Sequence, residues 1–179
     1  MVARFVSVAN VCKNGGQTMN IFESLKKDHQ DVKAHFERIT MARGRAAATG
    51  KRTFDSLAKM LEVHMLAEEK IFYSELKQHD ETRVSAFEAL EEHRIGKFLL
   101  NELKGGNQAS EQWQGKFKAF RSIVEHHIEE EEEEVFEKSR EIFEKSELEE
   151  MGQHFLEEKQ RIMAPPARGK AKRRRARAA

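Results

Sequence analysis

VEHHIEEEEEEVF, Val124 to Phe136, decides how the chain is read, together with its earlier echo VHMLAEEKIF, Val63 to Phe72. Each holds a His followed four residues later by a Glu: His64 and Glu68 in one, His127 and Glu131 in the other. On a helix this spacing puts imidazole and carboxylate one turn apart on the same face, a geometry that can chelate a metal. One such pair arises by chance in any charged helix. Two pairs, each inside an apolar stripe, point to a shared role. Within the run Glu129 to Glu134 only Glu131 has the phase to turn inward, and its neighbours read as a solvated face.

The same phase extends outward from both stretches. Around the first, a helix over about Ser110 to Ser139 carries Trp113, Phe117, Phe120, Val124, His127, Glu131 and Val135 on one stripe, with His126 one position off it. Around the second, a helix over about Arg52 to Gln78 carries Phe54, Leu57, Leu61, His64, Glu68 and Ile71. A carboxylate left unpaired in such a stripe would pay a large desolvation penalty or take up a proton, so Glu68 needs a cation or a partner. Upstream, Asn20 to Met41 forms a helix with Asn20 and Glu23 as a capping box and the stripe Ile21, Leu25, His29, Val32, Phe36 and Ile39. Ala42 to Lys51, with Gly44 and Gly50, reads as the connection to the next helix, with extension of either helix through its Ala run as the alternative. A helix from about Arg83 to Lys104 has Val84, Phe87, Leu90, His93, Leu100 and Leu103 as its inward candidates, and Lys97 falls one turn after His93. A shorter fifth helix is expected over Glu147 to Met163, capped by Ser146 and Glu149, with Leu148, Met151, Phe155 and Ile162 inward.

The composition agrees with an all-α chain. Its only prolines are Pro165 and Pro166, so nothing breaks a helix before them. Its 179 residues, 39% hydrophobic, suit one domain with a core. Cys12 is the single cysteine, which excludes an internal disulfide and fits a reducing, cytoplasmic setting. No apolar run approaches the roughly 20 residues needed to cross a bilayer, and no membrane partner is expected. Residues 1–18 read as a disordered N-terminal extension, 19–163 as the domain, and 164–179 as a disordered basic tail. That tail holds seven Lys or Arg and no acid, against 31 acidic and 25 basic residues elsewhere, so an acidic body carries a basic end. Such a tail suits contact with nucleic acid or another polyanion without sequence preference.

Four long helices with short connections pack most simply as an up-down-up-down four-helix bundle. Counted from one end, His29, His64, Glu68, His93, His127 and Glu131 then lie within a slab roughly 9 Å thick, at about 1.5 Å per residue. The slab has room for one or two ions. Its donors are imidazole and carboxylate without thiolate, a set suited to iron, manganese or zinc, with carboxylates able to bridge two ions. Neither the His-Glu-x-x-His motif of zinc proteases nor the Glu-x-x-His motif of ferritin-like bundles occurs. His35, His79 and His154 read as surface residues. Tyr73 reads as core packing, with a hydroxyl reaching the site as the alternative.

MNIFESLKKDHQDVKAHFERI, LEVHMLAEEKIFYSEL, EEHRIGKFLLNEL and VEHHIEEEEEEVF resemble the four helices of the hemerythrin-like proteins with the HHE cation-binding domain, over roughly Met19 to Met163. The resemblance implies a non-heme, carboxylate-bridged di-iron centre held by His29, His64, Glu68, His93, His127 and Glu131, and it selects His127 over His126. Oxygen-carrying hemerythrins have two histidines one turn apart on the third helix, whereas this chain has His93 and Lys97. That departure implies an open iron position for oxygen, nitric oxide, peroxide or water, and counts against reversible oxygen transport. His126 and His35 are the two residues left to fill the position. No dedicated proton donor or reductase domain is legible, so the expected role is binding or sensing a small oxidant, or handling iron, and no catalytic residue is assigned. A di-iron enzyme acting on peroxide or nitric oxide or repairing iron centres, and a nucleic-acid-associated protein acting through its tail, are the alternatives.

Overall fold

Asn20 starts the first helix as its sequence suggests. Its Oδ1 accepts from the Glu23 backbone N–H (3.0 Å), and the Glu23 carboxylate accepts from the Asn20 N–H (3.0 Å), which satisfies two donors the first turn leaves open. The computed structural model describes residues 19–41 and 47–165. Its helices are α1 (Ile21–Met41), α2 (Ala47–Leu76), α3 (Asp80–Lys104), α4 (Glu111–Glu130), a π-helical segment (Glu131–Val135) continuing into α5 (Phe136–Ile142), and α6 (Lys145–Met163). No strand occurs among the described residues, and no helix there is long and apolar enough to cross a membrane. The expected disorder of residues 1–18 and of the tail beyond Pro165 lies outside the described residues.

The long helices form the up-down-up-down bundle, with apolar side chains at either end of its core. One end gathers Phe36, Phe54, Leu57, Trp113, Phe117 and Phe120; the other gathers Phe22, Leu25, Phe72, Phe136 and Phe155. Each fully buried Phe contributes roughly 1.5–3 kcal/mol relative to an exposed one. Trp113 stacks on Phe117 at 5.0 Å, and its indole N–H donates to the Leu103 carbonyl (3.0 Å), so the α3–α4 turn is tied into the apolar end.

Three expectations change. The α3 stripe is rotated: Val84 and Phe87 are exposed, and the inward residues are Thr82, Ala86, Ala89, His93, Gly96, Leu100 and Leu103. Small residues, Ala86, Ala89 and Gly96, flank His93 on the inward face, Leu100 and Leu103 follow them, and the larger Val84 and Phe87 stay outside. At α6 the capping box uses Glu144 and Glu147 in place of Ser146 and Glu149. That helix is also more than an appendage, because it packs against both α1 and α2. The approach is close enough that a Cβ at Gly152 would come within 2.4 Å of the Met19 carbonyl oxygen. Phe155 and Lys159 are thereby set behind the histidine of α2.

Candidate metal centre

Between the apolar ends lies a polar layer. His29 on α1, His64 and Glu68 on α2, His93 on α3, His127 on α4 and Glu131 at the start of the π-helical segment are all buried and turned toward one another. His29 Nε2 lies 3.2 Å from Glu131 Oε2, and His64 Nε2 lies 3.3 Å from Glu68 Oε2. Across the bundle His93 Nε2 lies 3.1 Å from His127 Nε2 and 3.4 Å from Glu68 Oε2. All six residues expected from the sequence come together. Glu68, His93 and His127 bring one donor atom each within 4.8 Å of one another.

The outer nitrogens explain this orientation. His64 Nδ1–H donates to Asp28 (3.1 Å), His93 Nδ1–H to Glu69 (2.9 Å), His127 Nδ1–H to Glu92 (2.8 Å) and His29 Nδ1–H to Glu132 (2.8 Å). An ionised carboxylate only accepts, so each imidazole carries a proton on its outer Nδ1 and turns its Nε2 inward. The four bonds close a ring around the bundle. Each helix lends the acid beside its own inward ligand to the histidine of the next: α1 to α2, α2 to α3, α3 to α4, and the π-helical segment back to α1. Two lysines brace this ring from outside, Lys159 of α6 on Asp28 (2.5 Å) and Lys97 on Glu69 (2.5 Å).

Without a cation this layer is poorly satisfied. His29 Nε2, both oxygens of Glu68 and Glu131 Oε2 are buried without a hydrogen-bond partner. With their protons committed outward, His93 and His127 present facing lone pairs. Orphaned buried polar atoms are costly, and several aimed at one space are the signature of a missing positive charge. The spacing fits as well, since two donors about 2.1 Å from one ion and at right angles to each other lie about 3 Å apart. These residues therefore fit a metal.

The same frustration appears in the proton affinities. Burial, reinforced by the Glu131 charge, pushes the Glu68 carboxyl well above its usual range. Burial alone would lower His29, but the facing Glu131 carboxylate and the bond to Glu132 outweigh it and raise its pKa to about 9. His93 goes the other way, lowered to about 4 by burial and by His127 despite the bond to Glu69. The bonds to His64 and Lys159 overcome burial and keep Asp28 below its ordinary value.

The remaining candidates stay out of the layer. Lys97 turns to Glu69, His126 is 61% exposed and pairs with Glu130, and half-buried His35 bonds the Asp31 carbonyl. Neither histidine fills the position one turn after His93. His79 is half-buried with its ring against Phe143, so it is less of a surface residue than expected, and His154 is likewise half-buried. Tyr73 is both core and site: fully buried, it donates its hydroxyl proton to Glu131 Oε1 (2.8 Å). Phe136 N–H bonds to the Glu131 carbonyl five residues back, so the helix widens beginning at Glu131, and the adjacent Glu131 and Glu132 both reach His29. The sequence reading missed the acid ring, whose signal was an Asp or Glu beside an inward ligand on every helix: Asp28, Glu69, Glu92 and Glu132.

Residues 20–139 match the hemerythrin HHE cation binding domain. The chain belongs to this family. Among solved structures, the HHE fold recurs in a hemerythrin HHE cation binding domain-containing protein, the Rv2633c homolog from Mycobacterium kansasii, with a TM-score of 0.70. The two share 24% identity, over 80% of this chain and 86% of the other. No curated protein matches the chain. HHE membership makes this a metal-binding, hemerythrin-like protein, and α6 extends its bundle beyond the matched domain.

Proposed function

We propose that this HHE protein holds two iron ions in a non-heme, carboxylate-bridged centre and uses them to bind or sense a small oxidant, or to handle iron. The observation that carries the reading is the inward set of Nε2 atoms with partnerless oxygens of Glu68 and Glu131 among them. His29, His64, Glu68, His93, His127 and Glu131 would hold the ions. When bound, such a pair supplies electrons to a small ligand at an open position.

The chain's own residues support a small ligand. A cavity of about 20 Å³ touches all four histidines and is otherwise walled mainly by Val32, Leu61, Met65, Val124 and Ile128. That space suits a diatomic molecule or a water and excludes larger organic substrates. Gly96 lines the same cavity, and Lys97 beside it is drawn off to Glu69, so α3 adds no second histidine there. Tyr73 holds Glu131 from behind and gives it one fixed orientation.

The test is metal content and optical spectrum of anaerobically reconstituted protein, before and after oxygen is admitted, beside a variant carrying His127→Ala and Glu131→Ala. About two irons per chain, with near-ultraviolet charge-transfer absorption that the variant lacks, is the expected result. An iron-free protein after reconstitution would sink the proposal.

A further inference from the structure

The polar layer has a second opening, of a different character from the apolar cavity. Between α3 and the α4 end lies a cavity of about 40 Å³ lined by Glu88, Glu92, Glu130 and Glu134, and also by the inner residues His127 and Glu131. Glu131 is buried with its Oε2 partnerless. Glu92 and Glu130 of its lining and the more exposed His126 beside them bring one donor atom each within 4.8 Å of one another, and His126 Nε2 stands 3.2 Å from Glu130 Oε1. Exposure of the side chains falls from His126 (61%) through Glu130 (38%) and Glu92 (18%) to His127 (8%) and Glu131 (1%).

We infer that Glu92, His126 and Glu130 form an entry site that captures a divalent transition-metal cation and passes it to His127 and Glu131. The inference rests on the metal centre proposed above. A hydrated dication entering by the first cavity meets walls whose accessible surface is almost wholly apolar, and these replace little of its lost water before the histidines are reached. Along the acidic wall carboxylate and imidazole donors replace water stepwise, and the negative field concentrates cations at the mouth. Glu92 is the link, because its carboxylate belongs to the rim and also accepts from His127 Nδ1 (2.8 Å). Lys138 contacts Ser85 and Glu134, each at 3.3 Å, and so offsets Glu134 rather than the rim. The imidazole of His126 biases the rim toward iron, cobalt or zinc over calcium and magnesium. The glutamates of this stretch that read as a solvated charged face thus acquire a task.

Cobalt(II) alone is the probe, mixed anaerobically with metal-free full-length protein, and its visible absorption is followed in time. A His126→Ala, Glu130→Gln double variant should load about tenfold more slowly than wild type and reach the same final content. Glu129→Gln removes a charge that does not line the cavity, and should load within about twofold of wild type. Equal rates for the double variant and wild type, both filling, overturn the entry site and leave the centre standing. An equal slowing by Glu129→Gln also overturns it, because general charge then accounts for the effect. Failure of wild type to take up metal overturns centre and entry site together.

Discussion

The Phe-rich end around Phe36, Phe117 and Phe120 and the neighbouring layer of His29, His64, His93 and His127 lie on the same helices within a few turns, yet they are held in opposite ways. The apolar end is complete in itself: its rings meet edge-on at 5.7 and 5.9 Å, and its one indole N–H is bonded. The polar layer is incomplete, with four buried atoms partnerless and two histidines displaced in opposite directions on the proton scale. One region supplies stability; the other consumes part of it and keeps an opening for a cation. A bundle can hold such a layer only because apolar packing lies on both sides of it.

The comparison breaks most directly at Phe120. Phe120→Ala should cost about 3–5 kcal/mol in urea unfolding, by nearly the same amount in metal-free and metal-loaded protein, since the cavity it leaves is remote from the ligands. A loss present in only one form would mean that the two regions are coupled.

Metal loading should act on the other region. At a free metal concentration about a thousandfold above Kd, wild type should gain about 4 kcal/mol, and chelation should remove the gain. Phe120→Ala should keep this increment and His64→Ala should lose it, as read by the shift in unfolding midpoint.

In metal-free protein the two displaced histidines give opposite pH limbs of about 3 kcal/mol each. His29, raised to about 9, contributes stability that is fully present below pH 6.5 and is lost as pH rises through 9. His93, lowered to about 4, has no effect above pH 6.5; below it the unfolded chain takes up a proton that the folded chain refuses, and stability falls toward pH 4. Urea midpoints across this range should lose the alkaline limb in His29→Gln and the acid limb in His93→Gln.

Glu68→Gln has the smallest expected effect on folding. Burial and the Glu131 charge push its carboxyl well above the usual range, so losing the charge costs the metal-free fold little: the exchange should change metal-free stability by under about 1 kcal/mol while abolishing most of the metal increment. A large loss in metal-free protein would show that Glu68 is ionised there.

Periodicity alone made the bundle and the six inward residues legible, because a ligand in a core stripe obeys the same three-and-four spacing as a Leu. Where the inward face is made of small residues, that signal inverts: Ala86, Ala89 and Gly96 carry little hydrophobic weight, so Val84 and Phe87 were read as core although both are exposed. The acid ring was hidden for another reason. Asp28, Glu69, Glu92 and Glu132 each act on a histidine of a different helix, and no spacing within one helix reports which neighbour lies across the gap.

The sequence by itself thus determined four amphipathic helices, their inward donors at matching depth and Lys97 one turn after His93. These follow from contacts one turn apart, which local spacing encodes. Only the tertiary structure decided which carboxylate orients each imidazole, that Lys159 of α6 braces Asp28, and that one opening to the layer is apolar and the other acidic. Such features arise between helices, from their rotation and approach, and a one-dimensional pattern carries neither.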